Sequence, residues 1–151
     1  MIATSPAKSS QSRTLHPLAR FVTKEAIALL LNRKPAEIYR IDCWRYVIHV
    51  VGKGISRFVS YADLPPVLGV EPPTPLDMWR WRKRYAAQKQ QHAPKFWVDF
   101  YTQKFEQITC ITDLVIWREL LDTIKQVFSI SAWRQLHSAY ISIEKMLQPS
   151  N

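Results

Sequence analysis

The stretch Asn32-Arg33-Lys34-Pro35-Ala36-Glu37-Ile38-Tyr39-Arg40-Ile41-Asp42 decides the fold of this chain, because its second half can be written as a helix or as a strand. Just upstream, Thr23 is a good helix N-cap, and Glu25 adds a first-turn carboxylate where the helix dipole favours one. Ile27, Leu30 and Leu31 then share a face at helical spacing, with Ala26 and Ala28 keeping the helix slim. Asn32 can take the left-handed conformation that ends a helix, and Pro35 can only begin the next element. Downstream, residues 44–51 are strand-like, Gly52-Lys53-Gly54 suits a tight hairpin connection, and residues 57–64 return.

Two alternatives remain open for residues 36–42. As a helix, they complete a helix-turn-helix. Thr23, Glu25, Ala28, Leu30, Leu31, Ile38, Tyr39 and Arg40 stand at a spacing that resembles the small winged helix-turn-helix domains of excisionases and MerR-like regulators. Val50, Gly52, Lys53, Gly54, Arg57, Phe58, Asp63 and Leu64 would supply the hairpin wing, so the resemblance spans residues 23–64. It implies that Pro35, Ala36, Tyr39 and Arg40 approach a DNA groove, with Arg40 reading a base and Lys53 and Arg57 tracking the phosphates. The chain departs from that pattern at Arg33, where the family buries an apolar side chain, and at Glu37, whose carboxylate would face phosphates. It also has no Gly or Pro between the second helix and the wing. As a strand, residues 38–51 form one mostly extended run of β-formers, in which Trp44, Tyr46, Ile48 and Val50 alternate with Arg45, Val47, His49 and Val51. Both alternatives share the hairpin.

Pro65 and Pro66 stop the returning strand, and Glu71-Pro72-Pro73-Thr74-Pro75 forms a stiff connection. Beyond it, four amphipathic helices are expected. The first starts at the Thr74 cap and runs to about Gln91; the second opens at Pro94, the third at Thr112 and the fourth at Ser131, ending before Pro149. Their apolar sets begin with Met78, Trp81 and Tyr85 and continue through Trp97, Phe100, Tyr101, Leu121, Leu136 and Tyr140. The expected fold is therefore α+β: a helix or helix-turn-helix with a β-hairpin, followed by a small bundle of four helices. The division expected is a disordered arm over 1–17, a winged-helix-like module over 18–64, a Pro-rich linker over 65–75 and a bundle over 76–148.

The 151 residues carry a net charge of +9, and the excess is unevenly placed. From residue 93 onward Lys and Arg balance Asp and Glu, so all of it lies in the first 92 residues. A basic half beside a neutral half suits a polyanion-binding part joined to a packing part. The candidate nucleic-acid contacts are Arg33, Lys34, Tyr39, Arg40, Lys53 and Arg57, together with Arg80, Arg82, Lys83 and Arg84 in the run Trp79-Arg80-Trp81-Arg82-Lys83-Arg84-Tyr85. Cations there can hold phosphates, and an exposed tryptophan can stack on a base; the bland alternative makes the aromatics core and the cations a solvated face. His16, His49, His92 and His137 lack ligand partners at helical spacing, and Cys43 and Cys110 are single, so no metal is expected. With three glycines there is no phosphate-cradling loop, and no nucleophile elbow occurs. The chain is thus expected to be a cytoplasmic, non-enzymatic, cofactor-free regulator that binds nucleic acid, DNA ahead of RNA, with no membrane partner. The bundle would serve as a homodimer interface. The other class is an assembly adaptor whose basic surface meets an acidic protein.

Overall fold

The computed structural model describes residues 15–148 of the chain, so most of the expected N-terminal arm lies outside the described residues. Two compact units divide between Pro66 and Val67. The fold is α+β: a helix with a three-stranded antiparallel sheet, then four helices.

In the N-terminal unit, His16 Nδ1 accepts the Leu18 amide at 3.0 Å and starts a 3₁₀ turn, Pro17–Phe21, which buries Leu18 and Phe21. Pro17, placed in the arm by composition, is therefore structured. Helix α1, Lys24–Leu31, begins where Thr23 Oγ1 accepts the Ala26 amide at 3.1 Å. It ends at Asn32, whose φ of 58° lets the Asn32 and Arg33 amides turn back onto the Leu29 and Ala28 carbonyls. Ala26, Ile27, Ala28 and Leu31 are buried.

Residues 36–42 are not helical. A single 3₁₀ turn, Pro35–Glu37, leads directly into strand β1, Ile38–Cys43, so the second helix of the helix-turn-helix resemblance does not form. The winning interaction is a distant one: Arg40, Ile41, Asp42 and Cys43 pair with Val51, Val50, His49 and Ile48. The expected strand over 44–51, and the longer run over 38–51, are also corrected. The chain folds back at residues 44–47, where the Trp44 amide donates to the Val47 carbonyl at 3.0 Å. Strands β2, Ile48–Gly52, and β3, Ile55–Val59, follow. A straight strand over 38–51 would reach about 45 Å, far past what so small a unit can cover. The reversal makes β2 central in the order β1-β2-β3, with Ile48 and Val50 fully buried. Gly52 pairs with Ile55, leaving Lys53-Gly54 as the connection, with Gly54 at φ 72°.

A capping box between Ser60 and Asp63 closes the unit, and the Tyr61 hydroxyl donates to the Trp44 carbonyl, tying the β1–β2 turn to it. Burial pushes the Tyr61 pKa well above that of an ordinary phenol, so the hydroxyl keeps the proton it donates.

The C-terminal unit starts with α2, Pro75–Ala87. Thr74 Oγ1 accepts the Asp77 amide at 3.1 Å while the buried Asp77 carboxylate accepts the Thr74 amide at 3.0 Å. The helix stops at Ala87, short of Gln91, because Lys89 turns left-handed (φ 59°) and Gln90 donates to the Tyr85 carbonyl at 2.8 Å. Lysine there fills a place usually held by glycine, which is why composition alone misplaces this end. Helices α3, Phe96–Glu106, α4, Ile111–Thr123, and α5, Ile130–Leu147, complete the unit. Each begins within two residues of its expected start. Trp81, Tyr85, Trp97, Tyr101, Phe105 and Leu121 form its core. Among the described residues no helix is long and apolar enough to cross a membrane.

Candidate nucleic-acid interface

Side chains alternate across a sheet, so the pairing assigns every residue to a face. Ile41, Cys43, Ile48, Val50 and Val59 point inward with Ile55 and Gly52. Arg40 and Asp42 from β1, His49 and Val51 from β2, and Ser56 and Phe58 from β3 point outward. Trp44, at the β1–β2 turn, folds over the same outer face. Its ring lies 5.3 Å from His49 and 5.4 Å from Phe58, and His49 lies 5.1 Å from Phe58. The three rings form one patch. Trp44 is 46% exposed and Phe58 62%, so the patch is open to solvent.

His49 sits at its centre and is held from one side. Its Nε2 lies 2.9 Å from Ser56 Oγ, whereas Nδ1 stands 4.0 Å from an Asp42 carboxylate oxygen, beyond hydrogen-bond reach. Arg40 Nε donates to the same Asp42 oxygen at 2.8 Å. The guanidinium is thus anchored at the rim of the aromatic patch, with its remaining donors outward. Tyr39 and Tyr46 are also exposed, and Arg45 lies over the Tyr46 ring at 5.2 Å.

The other expected contact residues divide by what holds them. Arg33 is structural: Nε donates to the Lys53 carbonyl at 3.1 Å, and a terminal nitrogen donates to the Leu31 and Asn32 carbonyls at 3.3 Å. It joins the end of α1 to the β2–β3 turn, which explains an arginine where the winged family buries an apolar residue. Glu37 accepts the Lys34 amide at 2.9 Å and pairs with Lys53 at 3.7 Å. Lys34 and Lys53 therefore crowd a carboxylate. Arg57 projects from the edge strand β3 on the inward side of the sheet, opposite Val50, yet is exposed. It flanks the patch without joining it.

In α2, the aromatic run splits as the bland alternative expects in part. Trp81 and Tyr85 are core, while Trp79 is exposed with Lys83 4.9 Å above its ring. Arg80 pairs with buried Asp77 at 3.2 Å, and Arg82 donates to Gln126 at 2.5 Å. Arg84 is half-buried in the same unit. These four cations belong to the C-terminal unit and are mostly engaged there. A cleft of about 200 Å³ between α3, α4 and α5 sets Phe105, Leu121 and Leu136 beside Asp122, His137 and Glu144, and Arg118 at its side donates to the Tyr140 hydroxyl at 3.3 Å. The Tyr140 hydroxyl in turn donates to Glu144 at 3.4 Å.

Sequence reasoning missed Trp44, Arg45, His49 and Phe58. The available signal was that the alternation placing Ile48 and Val50 inward forces His49 outward, and Phe58 pairs with it.

Glu37 gives a pH prediction. The Lys34 amide first, and then the Lys53, Lys34 and Arg33 charges, hold its carboxyl below the usual carboxylate range, outweighing partial desolvation. A depressed folded pKa adds stability above the unfolded value, and that increment vanishes as pH falls through the folded one. Acid titration of the unfolding midpoint should therefore show a loss below the ordinary glutamate pKa that Glu37→Gln flattens; identical profiles for the two proteins would refute the clamp.

Compared with protein-family models, curated proteins and solved structures, the chain matches none.

Proposed function

We propose that the chain is a non-enzymatic nucleic-acid-binding protein whose N-terminal unit makes the contact. The observation that carries this reading is the coincidence of charge and exposed aromatics on one small unit. Residues 15–66 hold eight Lys and Arg against four Asp and Glu. Of those carboxylates, Asp42 and Glu37 are each shared with cations, and Asp63 is buried. Arg40 and Arg45 stand by the outer sheet face, Arg57 projects from the edge strand, Lys53 lies in the β2–β3 turn, and Lys34 lies beside Glu37. Cations so spaced anchor a phosphate backbone and release its counterions. Arg40 remains the base-reading candidate, from a strand rather than a recognition helix. In this reading the helical unit serves assembly, as a homodimer.

Binding of labelled DNA should weaken steeply with salt, and Arg45→Ala and Arg57→Ala should each lower the salt slope by about one, whatever the sequence. Fluorescence anisotropy at several ionic strengths measures this. Affinity that is flat with salt, or unchanged in the double variant, refutes the reading. A second reading, docking of an acidic protein, is favoured by the exposed edge strand β3 beside the aromatic patch. It predicts no nucleic-acid affinity beyond a weak basic background.

A further inference from the structure

We infer that the outer face of the sheet selects unpaired bases, so that the ligand is single-stranded nucleic acid, with one base stacked on Trp44 and a neighbouring base on Phe58. The inference rests on the nucleic-acid reading above and adds which form of the polymer is taken. Its basis is the aromatic patch, which phosphate anchoring leaves unexplained. Phe58 exposes 62% of its surface on a β-strand and Trp44 46% at a turn, in a unit that buries Phe21 and Tyr61. Exposed rings grouped in this way mark a contact surface, and flat partners such as bases stack well on them. Their partner must also suit a basic surround, with Arg40 at the rim and Arg45 on the adjoining turn.

Single-stranded nucleic acid meets both conditions, because it presents base faces and phosphates at a short repeat. A duplex meets only the second, since its base faces are hidden in the stack and its grooves offer edges. The ring geometry points the same way. The Trp44 and Phe58 planes are inclined by 59° with centroids 5.4 Å apart. Two bases stacked flat on each other cannot lie flat on both rings, whereas two bases splayed from a flexible strand can. His49, stacked at 30° on Trp44 and hydrogen-bonded to Ser56, stiffens the platform beneath them. DNA and RNA offer the same base faces, so the chemistry is shared and the arms of the test separate them.

The test uses the full chain and four labelled ligands of equal length: single-stranded DNA, single-stranded RNA, the corresponding DNA duplex, and an abasic strand that keeps its phosphates. One or both single strands should bind at least about tenfold tighter than the duplex and the abasic strand. Phe58→Ala should weaken single-strand binding about 5- to 100-fold, the loss of one base–aromatic stack, while leaving the abasic strand unchanged. Phe58→Trp should retain single-strand affinity, which separates stacking from any damage to the fold. Arg57→Ala should weaken all four ligands alike. Equal affinity for duplex and single strand, or for abasic and natural strand, overturns this inference while nucleic-acid binding itself stands. Absence of binding to all four overturns both.

Discussion

Trp97→Ala is expected to remove about 3–5 kcal/mol from the stability of the helical unit, the cost of deleting a fully enclosed large aromatic side chain. Trp97 is 0% exposed and enters α3 one residue after its start. Its ring meets Trp81 at 5.6 Å and 85°, Tyr85 at 6.2 Å and 77°, and Phe128 at 6.2 Å and 74°. All three are edge-to-face contacts of the kind aromatic quadrupoles favour, each adding to the burial of apolar surface. The neighbours come from α2 and from the segment that follows α4, so they cannot all close on the gap without moving helices apart from their other contacts. A domain typically holds only about 5–15 kcal/mol in total. The variant should therefore sit near the edge of unfolding, visible as a lower urea midpoint by circular dichroism, with Trp97→Phe recovering part of the loss. A loss below about 1 kcal/mol would mean that the aromatic cluster is not the packing centre.

Gly52→Ala is expected to be the next most damaging, at about 2–4 kcal/mol. The reason is space. A Cβ at Gly52 would stand 2.6 Å from the Glu37 carbonyl oxygen, inside any real contact distance, and that oxygen is backbone and cannot swing aside. It also accepts the Lys53 amide at 2.8 Å, so relieving the clash breaks a hydrogen bond as well as straining the start of β1. The Arg33 and Lys53 contacts that fasten α1 to the β2–β3 turn hang on the same geometry. Gly54→Ala makes the comparison: its added Cβ meets nothing within 4 Å, but φ is 72°, so only the left-handed strain of about 1–2 kcal/mol applies. Urea unfolding of both variants should rank Gly52→Ala below Gly54→Ala. The reverse order would show that the turn tolerates a shifted Glu37 carbonyl.

The second effect bears on how the candidate interface is held. Gly52 lets β1 approach β2 closely at the end near the Pro35–Glu37 turn, and that approach fixes the register putting Arg40 and Asp42 beside His49. A one-residue slip would turn the aromatic patch inward and the apolar face outward.

By itself the sequence determined the features set within a few residues of the chain. Thr23 and Thr74 cap helices, Asn32 ends one, Gly54 turns a hairpin, and the periodic aromatics after Pro94 mark helices with one buried side. It also determined that the positive charge collects in the N-terminal part. Each is local: a side-chain oxygen reaching an amide three residues on, a φ value, or a spacing that repeats with the helical turn. Tertiary structure alone decided that Ile38–Cys43 is strand. A short run containing Ile38, Tyr39 and Ile41 is compatible with either state, and the choice fell to pairing with Ile48–Gly52, residues that no local signal connects to it. It decided as well that the chain reverses at Arg45-Tyr46, where the buried Tyr61 holds the Trp44 carbonyl from seventeen residues away. The outward face of the sheet was settled in the same manner. Which side of a strand meets water depends on what covers the other side, and here α1 packs against β1 while Trp44, His49 and Phe58 are left together on the outer face.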